Sequence, residues 1–449
     1  MENPSNPNPE VILPEPPSGN IFDRNRNLLK GFMISFLILM LLIPTYFIGQ
    51  LIRERQNRNE EVKREIATQW SGAQNLNGPI LVIPYLQIEK TSDQKMISVK
   101  RHAYFLPDEL KISGRMDHDF RSRSSIFKLI VYTAQLQITG KFAPLSISKL
   151  NLLPENLLPN EAFLLYGLSD YTGIQEQMKI RWDQQQLEFN AGRNGASHVD
   201  KGLYTPLVLQ AADLLQTHTF NMQLSLRGSE RIGFYPVGKS TQVSLSSKWP
   251  HPDFEGKTLP AKQISDSGFS AQWKALDLNR AFPQQWKETQ EINIEEGVFG
   301  VNLLQPLDNY AKSNRTIKYA ILVIMLTFVV YFFIEVMQNR RVHAVQYVLI
   351  GFALCIFYTL LLSISEYTSY GTAYISSALA TILLISLYTR SVFQSTRTAG
   401  VFGIFLSILY VFIFVLIQLQ DGALLAGSIG LFLILAAIMY FSRKIEWSK

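Results

Sequence analysis

Hydrophobic positions divide this 449-residue chain into three regimes. Residues 31–52 form one long apolar run, residues 319–441 form five more, and the region between them alternates apolar with polar positions. The run from Tyr319 to Met337 carries Glu335 as its only acidic or basic residue. At about 1.5 Å per residue it is long enough to cross a hydrocarbon core of roughly 30 Å. Arg315 and Lys318 precede it, and Arg340, Arg341 and His343 close it. A second run returns from Gln346 to Ile364 and ends at Glu366, so the pair reads as a transmembrane hairpin with a basic turn. Further runs at 373–389, 399–417 and 424–441 bring the predicted spans to six, counting Gly31–Ile52. That first run is too long for a cleaved signal peptide and reads as a signal-anchor helix, kinked at Pro44.

Beyond the first span the helical period continues. Val62, Ile66 and Trp70 recur every four residues, and Glu60 precedes Arg64 by four, so 53–72 is predicted as a helical stalk that stops near Gly72. The period then becomes two. Ile130, Tyr132, Ala134, Leu136 and Ile138 alternate with Thr133, Gln135, Gln137 and Thr139; Phe220, Met222, Leu224 and Leu226 alternate with Asn221, Gln223, Ser225 and Arg227. This is the pattern of half-buried antiparallel strands. Further strands are expected at Ile80–Ile88, Arg101–Leu106, Glu161–Leu168 and Gly297–Leu304. About ten or more strands suggest a β-sandwich, or two β lobes divided near the Asn194-Gly195 turn. Pro206–Leu215 is a helix candidate.

Charge changes the picture at two points. Segment 53–318 holds 32 Lys and Arg against 28 Asp and Glu, too dilute a surplus for a nucleic-acid partner. The turns 338–345 and 390–398 contain Arg340, Arg341, Arg390 and Arg397, whereas the turns at Glu366 and Asp421 contain no Lys or Arg. Short basic loops stay inside, so both termini are expected inside and the β-rich region outside. Arg53, Arg55, Arg58, Lys63 and Arg64 argue the other way, but long translocated domains escape that rule. One cysteine, Cys355, excludes intramolecular disulfides and thiolate zinc sites.

Candidate chemistry is sparse. No HExxH, GxSxG, P-loop or GxGxxG sequence occurs, and no cofactor, metal site or catalytic residue is expected. His118 lies between Asp117 and Asp119, but on an extended segment it faces away from both, and a solvated turn is expected. In Trp249-Pro-His-Pro-Asp253, flanking prolines hold His251 extended, as a structural or ligand-presenting loop. Glu230-Arg231 begins a strand whose Phe234, Tyr235 and Pro236 belong to a buried sheet face or an aromatic groove. Glu335 lies about one turn from Arg340 and is expected to pair or snorkel there; Glu366 and Asp421 sit in opposite turns at little cost. Gly422, Ala426 and Gly430 make a small-residue ridge for helix packing or a homo-oligomer. Arg231, Trp249, His251, Asp253, Arg315, Glu335, Arg341, His343 and Glu366 are therefore the candidate interaction or coupling residues.

Several longer stretches resemble one family. They are Gly78-Pro-Ile-Leu-Val-Ile-Pro-Tyr85, Gly228-Ser-Glu-Arg-Ile-Gly-Phe-Tyr-Pro-Val-Gly-Lys239, Ser246-Ser-Lys-Trp-Pro-His-Pro-Asp-Phe254, Gly268-Phe-Ser-Ala-Gln-Trp273 and Phe299-Gly-Val-Asn-Leu-Leu-Gln-Pro306. With the hairpin from Arg315 through Val342-His-Ala-Val-Gln-Tyr347 to Glu366, they resemble the CreD-type inner-membrane, or cell envelope integrity, proteins over residues 30–449. The resemblance implies a Gram-negative inner-membrane protein with a periplasmic domain, linked to envelope stress, colicin tolerance and a two-component regulatory system. It supplies no catalytic residues.

The expected fold is thus an α+β membrane protein. A cytoplasmic Pro-rich tail (1–30) leads to the signal-anchor helix (31–52) and the stalk (53–72). A periplasmic β-rich domain (73–318), a five-helix bundle (319–441) and a cytoplasmic tail (442–449) follow. The expected function is non-enzymatic: the outer domain binds an envelope component or protein partner. A transporter or permease is the first alternative, distinguished by a hydrated path to Glu335. An envelope-polymer enzyme is the second, distinguished by His251, Asp253 and Glu230 meeting in one pocket.

Overall fold

The computed structural model describes residues 26–90, 96–123, 126–196, 202–303, 309–338, 340–419 and 422–442. The Pro-rich tail up to residue 25, His198, Asp308, Asp421 and the C-terminal residues 443–449 lie outside them. The chain divides into a helical unit, Met1–Gln56 with Leu307–Lys449, and a β unit, Asn57–Pro306.

The first helix, α1, runs unbroken from Arg26 to Trp70, past Pro44. The anchor and the stalk are therefore one element, of which residues 57–70 belong to the β unit. The remaining helices are α2 (Asn309–Lys318), α3 (Ala320–Met337), α4 (Ala344–Ser365), α5 (Tyr370–Phe393), α6 (Thr396–Gln418) and α7 (Ala423–Ser442). Helices α1, α3, α4, α5 and α6 are each long and apolar enough to cross a membrane, and α7 contains a shorter apolar stretch, Leu424–Ala436. Gly351 on α4 lets α1 come close, since a Cβ there would meet Leu41 and Phe328.

The β unit contains two sheets. Its strands are β1 (Gln74–Lys90), β2 (Met96–Phe105), β3 (Glu109–Ser122), β4 (Lys128–Phe142), β5 (Phe163–Leu168), β6 (Lys179–Trp182), β7 (Gln185–Glu188), β8 (Asn190–Ala191) and β9 (Gly202–Pro206). After these come β10 (His218–Ser229), β11 (Arg231–Phe234), β12 (Ser240–Ser247), β13 (Pro252–Gly256), β14 (Ala261–Ser265), β15 (Gly268–Leu276), β16 (Gln285–Lys287) and β17 (Phe299–Leu303). One sheet has the order β13-β17-β11-β1-β5-β9-β8, with β2 on β1 and β16 on β2; the other is β14-β15-β12-β3-β4-β10-β6-β7.

Four expectations are corrected here. The sheets are mixed, because β1 pairs parallel with β11 and β3 parallel with β12. Alternation at period two is common to both pairings and does not distinguish them. Second, the β unit is not two lobes, since Leu136 and Ile138 of one sheet and Leu164 and Val301 of the other share one core. The Asn194-Gly195 turn lies between β8 and β9, neighbours within one sheet, where φ values of 45° and 84° suit Asn and Gly. Third, Pro206–Leu215 makes only a 3-10 turn, Asp213–Leu215. Leu207 and Leu209 donate their backbone N–H to Ala162 and Pro159, which removes them from any helical ladder. Fourth, His118 is not in a turn: β3 pairs with β4 as far as Ser122, and the imidazole packs edge-on to Trp249 at 5.1 Å.

Candidate functional site

In the helical unit the polar chemistry gathers at the two edges of the apolar stretch of α1. At one end the Lys30 ammonium donates to Glu335 Oε1. The same oxygen accepts from Val342 N at 2.9 Å, and Oε2 accepts from the Tyr347 hydroxyl at 2.8 Å. Glu335 is 3% exposed, so its charge is compensated by three donors rather than by water. Tyr331 stacks edge-on to Tyr347 at 5.2 Å, and its buried hydroxyl has no partner among the described residues. The expected Arg340 pairing is corrected: Arg340 is exposed and meets Glu335 only through its backbone N–H, at 3.3 Å to the Glu335 carbonyl.

At the other end Glu366 accepts from the Tyr310 hydroxyl at 3.1 Å, and Arg55 Nε lies 3.9 Å from the same oxygen. The Glu366 side chain is only 9% exposed, so the turn position expected to cost little is a largely buried one. Asn309 donates to the carbonyls of Ser365 and Thr368, at 2.6 and 3.1 Å, and closes the end of α4. Lys30 and Arg55 are separated by roughly 37 Å of helix, slightly more than a hydrocarbon core of about 30 Å. The two carboxylates thus hold α1 at both edges of its apolar stretch. A carboxylate on the bundle and a cation on α1 make up each pair.

In the β unit the C-terminal part of α1 lies on the eight-stranded sheet. Val62 and Ile66 pack on Leu129 and Val131, and Glu65 pairs with Arg123. Trp70 sits between the Arg121 and Arg227 guanidinium groups, each 4.4 Å from the ring. Immediately after the helix, Gly72 N donates to Asp170 Oδ2 at 2.8 Å, and Gln74 Nε2 reaches Ser71, Asp170 and Arg227.

The remaining candidates do not converge. Arg231 pairs with Glu255 and donates to Asn75 at 2.7 Å, a strand-to-strand brace. Trp249 is buried and donates to the His251 carbonyl at 2.9 Å, which leaves the His251 ring exposed. Asp253 faces Asn302, whose side-chain amide lies 3.4 Å away. Glu230 occupies a left-handed turn, φ 58°, between β10 and β11. No hydrogen bond or ion pair joins His251, Asp253 and Glu230 among the described residues. Arg315 and Arg341 are exposed. His343 caps α4: its Nδ1 accepts from Val345 N at 3.4 Å, and its own N–H donates to the Gln346 side chain. No group of three or more His, Cys, Asp or Glu that would hold a metal occurs among the described residues.

A groove of about 350 Å³ opens on the outward face of the eight-stranded sheet, lined by Glu109, Lys111, Thr139, Lys141, Arg181 and Asn221 among others. The hydrogen bond from Lys141 holds the Glu109 carboxyl below its ordinary value. Burial pushes Asp183 upward, but hydrogen bonds from His218 and Thr219 outweigh it and leave the carboxyl lowered. Each groove carboxylate is thereby favoured in its ionised form, with Glu109 paired to Lys141 and Asp183 hydrogen-bonded by His218 and Thr219. The sequence reading missed this groove because its residues come from four strands. Lys30, Arg55, Tyr310 and Tyr347 were missed for a similar reason: Lys30 and Glu335 are 305 positions apart.

A first apolar helix that continues into a large β-rich domain, followed by a bundle of apolar helices, defines a multi-pass membrane protein with an inserted extramembrane domain. The chain belongs to the CreD family, described as inner membrane protein CreD, whose sequence profile matches residues 26–448. It is 30% identical over 415 residues to inner membrane protein CreD of Escherichia coli (strain K12), covering 91% of each chain. The protein is therefore a multi-pass inner-membrane protein. Among solved structures, a Legionella pneumophila protein provisionally described as nutrient binding aligns over 56% of this chain and 80% of its own. At a TM-score of 0.27 and 7% identity, it carries no argument.

Proposed function

We propose that this protein is a non-catalytic envelope factor. Its β unit lies outside the inner membrane and binds an envelope component or protein partner; α1 carries the consequence to the helical bundle. The observation that carries this reading is the three-level fixation of one unbroken helix: Lys30 on Glu335, Arg55 beside Glu366, and Trp70 between Arg121 and Arg227. A passive anchor has no need of a stalk seated by ion pairs, apolar contacts and two guanidinium groups. The outside placement rests on the basic turns at Arg340–Arg341 and Arg390–Arg397. Lys30, at the start of α1, lies at the same end of the bundle as the first of these turns. The CreD family membership supports the setting.

The test is a twelve-residue Gly/Ser insertion after Trp70. Normal protein level with lost tolerance to envelope stress is expected. Unchanged tolerance would show that α1 only tethers the β unit. Photocrosslinking from the β unit in cells, which should trap a partner, tests the recognition half.

A permease reading has one observation in its favour. Thr327, Tyr331, Ser377 and Tyr410 are buried in the helical unit with hydroxyls that have no partner among the described residues. Solute flux through reconstituted liposomes that is lost in Tyr331→Phe would favour transport over the envelope-factor reading.

A further inference from the structure

The register of the eight-stranded sheet places seven exposed or half-exposed polar side chains in one line across seven strands. Gln186 of β7 pairs with Arg181 of β6, Arg181 with Asn221 of β10, and Asn221 with Thr139 of β4. Thr139 pairs with Lys111 of β3, Lys111 with Gln242 of β12, and Gln242 with Lys274 of β15. Because side chains alternate across a strand, directly paired residues share a face, and this face is the outward one. At about 4.8 Å per strand the line is roughly 29 Å long.

Three properties of this line point to a ligand. It contains three cations and no carboxylate. Arg181 and Lys274 have neither a hydrogen bond nor an ion pair among the described residues, and Lys111 only approaches Glu109 at 3.9 Å. Second, the 350 Å³ groove lies between Arg181 and Lys111, so the line includes a depression and not only a flat surface; its two carboxylates, Glu109 and Asp183, are engaged by Lys141 and by His218 and Thr219. Third, the parallel line two residues along is Glu188, Lys179, Gln223, Gln137, Ser113, Ser244 and Gln272: an ion pair at the β7 edge, then amides and hydroxyls with no apolar side chain.

We infer that this face binds an anionic polysaccharide lying across the strands along the line from Arg181 to Lys274. A sugar ring is about as long as the roughly 4.8 Å strand spacing, so successive rings fall over successive strands. The three cations stand about 14 and about 10 Å apart, two or three rings, which suits acidic groups that recur along a glycan. Amides and hydroxyls between them offer donors and acceptors to ring hydroxyls. The absence of aromatic side chains from both lines removes the stacking platform that a single-stranded nucleic acid uses. The absence of apolar side chains likewise removes the anchors of a typical protein interface.

This inference rests on the recognition reading above and names its ligand class. The test uses the full chain in detergent or nanodiscs, with polygalacturonate as probe, dextran as neutral comparator and single-stranded DNA as competing polyanion. Saturable polygalacturonate binding that weakens as salt rises is expected, with dextran and DNA bound at least tenfold more weakly. Arg181→Ala and Lys274→Ala should each weaken binding about two- to fivefold, and the triple variant with Lys111→Ala on the order of tenfold or more. Lys274 lies outside the groove, so its effect separates the line from the groove alone. An unchanged circular dichroism melt in the variants establishes that folding is intact, and the wild-type salt dependence is independent of any substitution. Failure to bind polygalacturonate, equal binding of dextran, equal binding of DNA, or an inert triple variant would each overturn the inference. If crosslinks then still form from other parts of the β unit, the broader recognition reading survives without it.

Discussion

Glu335→Gln tests the inner clamp on α1 directly. The amide keeps an oxygen for Val342 N–H or the Tyr347 hydroxyl, but the Lys30 ammonium then faces a neutral group in a buried site. Removing one partner of a buried ion pair typically costs about 3–5 kcal/mol. Lys30 retains 21% side-chain exposure and can turn toward water, so a value near 2–3 kcal/mol is expected. That corresponds to a roughly 30- to 150-fold rise in the open population, at about 1.4 kcal/mol per factor of ten.

Cys355 provides the readout. It is the only cysteine, it is buried, and it lies one turn beyond Gly351, where Leu41 of α1 packs. Labelling by a thiol-reactive fluorophore in detergent should therefore accelerate by that factor when reclosing is fast relative to labelling. The double variant Lys30→Met with Glu335→Gln should label more slowly than Glu335→Gln alone, because it removes the unpaired ammonium while the amide keeps an acceptor for Val342 N–H or the Tyr347 hydroxyl. Labelling of Glu335→Gln at the wild-type rate, or a double variant as fast as the single one, would refute the clamp.

Reporter fusions at Ser369 should be active outside the membrane and fusions at His343 only inside; a cytoplasmic signal from within 73–300 overturns the topology. Trp70→Ala removes two cation–π contacts worth about 1 kcal/mol each, and limited proteolysis between residues 57 and 72 should become faster while the bundle stays intact. Asp183 is held below its ordinary value, so it contributes stability above that value and loses it as pH falls through the folded value. Asp183→Asn should therefore flatten the acid-side loss of stability below about pH 4, read from the fluorescence of neighbouring tryptophans such as Trp182.

What the sequence made legible was whatever repeats locally. Length and apolarity marked the spans, and alternation marked β4 and β10 with the inward residues correct: Ile130, Tyr132, Ala134, Leu136 and Ile138 are all buried. Val131 is buried too, against the alternation, because Val62 and Ile66 of α1 cover it from outside. Asp117 and Asp119 suggested a loop around His118, but both are outward residues of β3 that meet Arg115 and Arg121 two positions away on the same face. Parallel register was hidden because side-chain alternation does not depend on strand direction. The pairings of Lys30 and Arg55 stayed hidden because a charge next to an apolar run looks like an interfacial anchor until its partner is known. Glu335 had Arg340 nearby in sequence, yet Lys30 reaches it from another helix.

The two clamps together restrict α1 more than either does alone. Lys30 meets the far end of α3, so α1 and α3 run antiparallel, while Arg55 meets the end of α4. A slide of α1 by one turn, about 5.4 Å, would take both cations from their carboxylates in the same step. It would also drive Leu41 off Gly351, where no side chain stands in the way. Rotation is no easier, because Lys30 and Arg55 are seven helical turns apart and must keep their facing together. The helix therefore has one seated register, and leaving it costs two buried or half-buried charges at once. Such an element is held in place rather than left to drift.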